Sequence, residues 1–242
     1  MKAIVVVPTY NERRNLSVLV PRLSKVLKRE GVSGGIIIVD DGSKDGTPEE
    51  VRRLAKTHPV ELVERGNKMG LGSAYVQGFG MALSRRPQAV VQMDADLSHD
   101  PEDVPRLLDA LSSGCDLAIG SRKAEGGKSV EWSGHRKVVS FFANLIVRYF
   151  AGVRVKDATS GFRAYRTTAL RRMLGKIESE GYDFQIETAW LAERTDMRIA
   201  EVPITFRRRK YGSSKLGIDD VLSFLATAAR LRVRKLRRHS TS

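Results

Sequence analysis

Four short apolar runs, Lys2–Val7, Gly35–Val39, Ala89–Met93 and Asp116–Gly120, limit what this chain can become. Each is too short for a helix and lacks the polar and apolar alternation of a half-exposed strand, which is the pattern of a strand covered on both faces. A weaker strand is read at Val60–Glu64. Helix-length segments lie between the runs. One leaves the Thr9–Glu12 loop and extends to about Arg29 through Pro21. A second opens at Thr47-Pro48-Glu49-Glu50, which reads as a capping box with proline at the first position. A third covers about Ser73 to Ser84, and a fourth runs from Pro101 to Ser112 with Asp100 as its cap. This βαβαβαβαβ order predicts an α/β fold, a mostly parallel twisted sheet flanked by helices.

Such a sheet binds ligands beyond the carboxyl ends of its strands. Tyr10 and Glu12, Asp40 and Asp41, and Asp94 and Asp96 each follow directly on such an end, so three acidic loops are predicted on one edge. Asp94-Ala95-Asp96 carries two hard oxygen ligands, and a magnesium or manganese ion takes one or two carboxylates together with substrate phosphate oxygens. The competing reading makes these two ordinary solvated loop acids. Gly70-x-Gly72 is no dinucleotide fingerprint, because it follows the third strand and lacks the third glycine. It is read as relieving a tight turn. No phosphate-loop GKS/T sequence is present.

The net charge is +14, and it is uneven: Phe206–Ser242 holds 11 Lys plus Arg against two acids, a net +9. Such a patch favours a nucleic acid, a phosphate-bearing substrate or an acidic membrane surface. The single cysteine, Cys115, excludes an internal disulfide and suits a reducing compartment. The first apolar run is too short for a signal peptide and no run reaches the length of a membrane span, so a soluble or peripheral protein is expected.

Beyond Gly120 the pattern changes. Val138–Phe150 reads as an amphipathic helix, with Phe141, Phe142, Leu145, Ile146, Tyr149 and Phe150 on an apolar side that either packs into the core or meets a membrane interface. Asp157–Tyr165 is a turn into a short strand, Tyr182-Asp183-Phe184 opens a helix to about Arg194, and Arg198–Phe206 is a strand in which Pro203 signals an edge or bulge. A last helix, Ile218–Leu236, has six basic residues between Arg230 and Arg238. It reads as lying on anionic lipid or a partner, or as a solvated surface helix.

Taken together, Pro8-Thr9-Tyr10-Asn11-Glu12, Val39-Asp40-Asp41-Gly42-Ser43-Lys44-Asp45-Gly46-Thr47, Gly70-Leu71-Gly72-Ser73-Ala74, Asp94-Ala95-Asp96-Leu97-Ser98-His99 and Ser160-Gly161-Phe162 resemble the dolichyl-phosphate (polyprenyl-phosphate) mannosyltransferases, inverting GT-A glycosyltransferases of family 2. The match runs from about Lys2 to Leu216. The resemblance implies a GT-A, Rossmann-like catalytic domain over residues 1–216, with a C-terminal basic amphipathic helix and tail over 217–242. It implies a nucleotide-sugar donor, usually GDP-mannose, a dolichyl or polyprenyl monophosphate acceptor, and Mg2+ or Mn2+. Pro8, Tyr10, Glu12, Asp40 and Asp41 fall on the nucleotide-holding loops. Asp94 and Asp96 fall on the metal and diphosphate motif, with Ser98 where some relatives carry a Gln ligand. Arg122, Arg136, Ser140, Arg209 and Lys215 fall on the acceptor-phosphate cluster; Asp94, Asp96, Arg122 and Arg136 are the expected catalytic set. The resemblance places the protein peripherally on the cytoplasmic face of a membrane, with a separate integral-membrane subunit as a conceivable partner.

The chemistry agrees with such a cluster. A phosphate monoester is already anionic near neutral pH, so it needs no general base. It needs Arg forks to hold it in line and a metal to offset charge on the departing diphosphate. Two rivals stay open from the residues alone. The scaffold could use UDP-glucose, or act on a protein or polysaccharide; alternatively the basic tail could bind nucleic acid, although no helix-turn-helix, RNA-recognition or zinc pattern accompanies it.

Overall fold

The computed structural model describes residues 1–130, 143–211 and 218–239. Its strands are β1 (Lys2–Thr9), β2 (Ser33–Asp40), β3 (Val60–Glu64), β4 (Ala89–Gln92), β5 (Leu117–Ser121), β6 (Lys128–Ser129), β7 (Arg163–Arg166), β8 (Ile199–Pro203) and β9 (Thr205–Phe206). The helices are α1 (Arg13–Arg29), α2 (Thr47–Leu54), α3 (Leu71–Ser84), α4 (Val104–Ser112), α5 (Thr167–Leu174), α6 (Phe184–Arg194) and α7 (Ile218–His239). Seven strands form one sheet in the order β3-β2-β1-β4-β7-β5-β8, and β6 pairs with β9 in a small second ribbon.

The solid apolar runs are explained by two cores. Ala3, Val5 and Val7 of β1 point to one face with Leu16, Leu19 and Leu23 of α1 and Leu107 and Leu111 of α4. Ile4 and Val6 point to the other, with Tyr75 and Phe79 of α3 and Phe184 and Ile186 of α6. Successive strand residues thus serve opposite helix layers, and every position of the strand must be apolar. The pairs β3–β2, β2–β1 and β1–β4 are parallel as expected. The exception is β7, which runs antiparallel between β4 and β5.

Three local expectations change. Thr47 is not the cap of α2. It is the first helical residue, the cap is Gly46 at φ 85°, and the Thr47 hydroxyl instead accepts from the Glu12 amide at 3.0 Å. The expected Arg198–Phe206 strand breaks at Ile204: Pro203 ends the edge strand β8, and the next two residues leave to pair with β6. Part of the amphipathic helix over Val138–Phe150 lies outside the described residues. Its described end becomes a π-helical turn, Val147–Ala151, which holds an extra residue per turn and throws a 3.6-residue stripe out of phase. Val147 is buried, whereas Tyr149 and Phe150 are exposed. The Asp100 cap stands: its carboxylate accepts from the Glu102 amide at the start of the Pro101–Asp103 turn that leads into α4.

The last helix is anchored to the body. Ala228 and Leu231 enter the core beside α6, and the Thr227 hydroxyl donates to Asp183 at 2.7 Å. No helix among the described residues is long and apolar enough to cross a membrane.

Candidate active site

Because β2, β1 and β4 are neighbours, the loops leaving their carboxyl ends adjoin. The first two loops are stitched together. The Asn11 amide donates to Ser43 Oγ at 2.7 Å, Lys44 N donates to Asn11 Oδ1 at 2.8 Å, and Arg13 N donates to Asp45 at 3.1 Å. Asn11 takes φ 57°, a left-handed conformation that asparagine tolerates. Pro8 is buried within β1 opposite Val39. Tyr10 is half-buried, with the Lys68 ammonium 5.1 Å from its ring centre. The Glu12 carboxylate accepts from Asn15. Beside these loops lies a cavity of about 570 Å³ lined by Asn11, Glu12, Arg13, Asp45, Lys210 and Tyr211. A larger cavity, about 900 Å³, sits beside the start of β8, away from the acidic loops.

The paired acids Asp40 and Asp41 are filled by the protein's own donors. Asp40 accepts from the Thr9 hydroxyl at 3.0 Å and from the Ser43 amide at 2.9 Å. Asp41 accepts from the Met69 and Gly70 amides at 2.9 and 3.0 Å, and the buried Arg65 guanidinium stands 3.2 Å away. They shape loops rather than presenting bare carboxylates. The Gly70-x-Gly72 pair serves a close backbone approach: Gly72 N donates to Glu180 O at 2.7 Å, and a Cβ there would meet Ser179 O at 2.5 Å. That gives the tight packing a partner, the 179–181 segment.

Asp94 and Asp96 occupy the centre of the edge. Asp94 Oδ1 accepts from the Tyr75 hydroxyl at 2.8 Å, and its Oδ2 stands 3.5 Å from His99 Nε2. Its side chain keeps 33 % of its exposure. Burial would raise this carboxyl, but the His99 imidazole, the Tyr75 hydroxyl and the Arg209 charge outweigh it and hold Asp94 below the usual carboxylate range. Burial first, and then the same carboxylate, push the Tyr75 phenol well above its ordinary value, so Tyr75 stays a donor. Asp96 Oδ1 accepts from the Ser98 amide at 3.0 Å, and Oδ2 lies 2.9 Å from Arg209 Nη2. Ser98 is buried, and its carbonyl accepts from Arg207 N at 3.0 Å, tying the segment after β9 to the acidic loop.

A divalent cation fits this donor set. Two carboxylates one residue apart, one of them a third exposed, match an ion that takes its remaining oxygens from a substrate diphosphate. No group of three or more His, Cys, Asp or Glu suited to a metal occurs among the described residues.

Arg122 is held by the 157–161 loop. Its Nε and Nη2 fork onto the fully buried Asp157 at 2.7 and 2.6 Å, and Nη2 also reaches the Thr159 hydroxyl at 2.8 Å. Asp157 would rise on burial, but this guanidinium holds it low. The pair fastens the 157–161 loop, as does Arg163. That guanidinium is fully buried and donates to Ser160 O at 2.8 Å, Ala158 O at 2.7 Å and Thr188 at 2.7 Å. The loop carries Gly161 against Asp94, where a Cβ would stand 2.9 Å from Oδ2. Arg136, Ser140 and Lys215 lie outside the described residues. The structure therefore brings Arg209 to the acids, engages Arg122 with Asp157, and adds Tyr75, His99, Arg65 and Asp157, which sequence reasoning did not single out. Only His99 had a signal, its place in the Asp94–His99 motif.

Residues 4–175 match the sequence model described as glycosyl transferase family 2. A polyprenol monophosphomannose synthase of Mycolicibacterium smegmatis is 43 % identical over 223 residues, which cover 91 % of this chain and 83 % of that one. An undecaprenyl-phosphate mannosyltransferase of Micrococcus luteus is 42 % identical over 218 residues, 89 % of this chain and 88 % of that one. Among solved structures, a glucosyl-3-phosphoglycerate synthase from Mycobacterium tuberculosis, in complex with Mn2+, UDP and glucosyl-3-phosphoglycerate, superposes with a TM-score of 0.68 at 20 % identity, over 97 % of this chain and 78 % of that one. This last likeness concerns the fold.

Proposed function

The chain belongs to glycosyl transferase family 2, and we propose that it moves mannose from GDP-mannose to the phosphate of a polyprenyl monophosphate. The mannosyl transfer to a polyprenyl phosphate rests on two relatives above 40 % identity that span most of this chain. GDP as the donor's nucleotide, the choice between Mg2+ and Mn2+, a membrane subunit and a place on the cytoplasmic face of a membrane are our own reading. The observation that carries the site is the convergence of Asp94, Asp96 and Arg209 at the carboxyl edge, two anions and a cation where a diphosphate leaves and a phosphate attacks.

In this reading an acceptor phosphate oxygen attacks the anomeric carbon of mannose. The new bond is carbon to phosphate oxygen; the bond to the nucleoside diphosphate breaks, and the diphosphate departs with the electron pair. One displacement inverts the anomeric centre. Asp94 and Asp96 would hold a divalent ion, which offsets charge on the leaving diphosphate. Tyr75 and His99 fix the Asp94 carboxylate. The stitched 10–13 and 43–47 loops, built on Pro8, Asp40 and Asp41, shape the nucleotide side, with Tyr10 and Glu12 beside it. Arg209 serves the acceptor phosphate, with Arg136, Ser140 and Lys215 proposed from their place in the sequence. Arg122 acts as a positioning residue through Asp157. No proton has to be removed from a phosphate monoester near neutral pH, so the site needs positioning and charge rather than a base.

The acceptor is tested by offering label from GDP-mannose to a short polyprenyl monophosphate and to the matching free polyprenol. Product from the phosphate alone is expected. Equal product from the alcohol would mean that a base operates and would overturn the mechanism.

A further inference from the structure

The start of α3 is capped by a distant part of the chain. Its cap residue, Gly70, has no side chain, so the free amides of the first turn need an acceptor from elsewhere. The Glu180 carbonyl supplies it, accepting from Gly72 N at 2.7 Å and from Ser73 N at 3.2 Å. The segment that carries this carbonyl is itself held from behind. One oxygen of the fully buried Glu187 accepts from Glu178 N at 3.0 Å and from Ser179 N at 2.7 Å. The other faces two arginines of α7, with Arg234 Nη1 at 3.4 Å and Arg230 Nη2 at 3.6 Å. Arg230 and Arg234 also reach the Glu178 carboxylate, at 3.0 and 3.3 Å, and Arg230 donates to the Ser179 hydroxyl at 3.0 Å. The two arginine side chains keep 36 and 34 % of their exposure, whereas Glu187 keeps none. They therefore cover a buried charge from the solvent side, and two backbone amides alone would leave that charge poorly offset.

We propose that Arg230, Arg234 and Glu187 are positioning residues for the donor side of the active site, acting through the 178–181 segment on the start of α3. What α3 carries gives this clasp its reach. Immediately before the helix the Met69 and Gly70 amides donate to Asp41, and in its second turn the Tyr75 hydroxyl donates to Asp94. No slack separates the segment from the helix. A Cβ on Gly70 would stand 2.5 Å from Glu180 O, and one on Gly72 would stand 2.5 Å from Ser179 O. A shift of the segment therefore moves the helix start with it. Asp183 ties the same stretch to α7 once more, by accepting from the Thr227 hydroxyl at 2.7 Å. Naming that edge the donor side rests on the transferase reading, whereas the clasp is a matter of contacts alone.

The test compares Arg230→Gln/Arg234→Gln with Arg232→Gln, an exposed neighbour on the same helix whose guanidinium lies over the Phe150 ring instead. Hydrogen exchange of the full chain without ligands reads the clasp. In the double variant the amides of Met69, Gly70, Gly72 and Ser73 should exchange about tenfold faster, and in Arg232→Gln they should keep the wild-type rate. Arg234→Gln alone carries the same comparison if the double variant does not fold. Transfer from GDP-mannose to a short polyprenyl monophosphate reads the purpose of the clasp. The donor KM should rise about tenfold in the double variant, with the acceptor KM and the kcat at saturating donor within about twofold of the wild type. Adding Glu187→Gln should bring the donor KM back to within about threefold, because a carboxamide oxygen still accepts from Glu178 N and Ser179 N and no buried charge is left unpaired. Arginines that merely fasten α7 would lower the melting temperature, leave the donor KM in place and gain nothing from Glu187→Gln, and that result would overturn the inference. So would unchanged exchange at Gly72 and Ser73. A wild type that transfers no mannose strikes the transferase reading, and the exchange rates with their rescue by Glu187→Gln then decide the clasp.

Discussion

Arg209 Nη2 lies 2.9 Å from Asp96 Oδ2, so the carboxylate proposed for a cation is neutralised by a side chain of the basic 207–210 segment. An ion and a guanidinium cannot share that oxygen without repulsion. Arg209→Gln should therefore bind Mn2+ more tightly in the absence of nucleotide, by roughly tenfold, while losing turnover because the acceptor phosphate has lost a cation. Titration of free Mn2+ by electron paramagnetic resonance reads the first effect. Unchanged or weaker metal binding would contradict the competition.

Tyr75→Phe removes the hydrogen bond to Asp94 and no volume. A stability loss of about 1 kcal/mol is expected, and metal affinity should fall by about tenfold because the carboxylate is no longer held. Thermal melts and metal titration separate the two. A variant that loses stability but keeps its metal affinity would reduce Tyr75 to a packing residue.

The glycines of α3 should respond in opposite directions. At Gly72 an added Cβ meets Ser179 O at 2.5 Å and Phe184 Cβ at 2.9 Å, so Gly72→Ala should cost about 1 to 3 kcal/mol. Gly80 has nothing within 4 Å, and Gly80→Ala should add about 0.5 to 1 kcal/mol through helix propensity. Denaturant unfolding checks both.

Asp157 gives a dependence on pH. Burial raises its carboxyl and Arg122 lowers it further than burial raises it, so the folded value lies below the unfolded one, near 3.9. The stability from this pair is fully present above about pH 4 and is lost as pH falls through the depressed folded value. Asp157→Asn should cost about 3 to 5 kcal/mol at neutral pH by leaving Arg122 without its buried partner. The gap to the wild type should stay constant from pH 7 to about 5 and narrow only below about 4. Melts across that range decide it; a gap that widens on acidification would contradict the assignment. Lys123 and Glu201 stand nearby, so the same series in Glu201→Gln controls for their charge.

How far the sequence reaches is set by the range of the interactions. β1, β2 and β4 are legible because burial on both faces demands an unbroken apolar run, and that demand is local. Their shared edge follows from parallel topology, so the adjoining of Glu12, Asp40 and Asp94 is legible too. The short strand after the turn at Asp157 is legible as well, but its antiparallel place between β4 and β5 is not, because partners far along the chain fix it. The same holds for side-chain chemistry. The Met69 and Gly70 amides and the Arg65 guanidinium that surround Asp41 cannot be read from its place in the sequence. That Arg122 is forked onto Asp157, 35 residues on, is likewise invisible in the sequence. Residue type gave the charge; only tertiary structure gives the partner.

The most direct measurement is transfer of labelled sugar to a short polyprenyl monophosphate from GDP-mannose, GDP-glucose, UDP-glucose and UDP-N-acetylglucosamine, each with Mg2+, Mn2+ or chelator, in the wild type and Asp96→Asn. Product from GDP-mannose alone, dependent on the metal and abolished in a folded Asp96→Asn, is the predicted result. Product from a UDP-sugar instead, or an Asp96→Asn variant that keeps most of its rate, would contradict it.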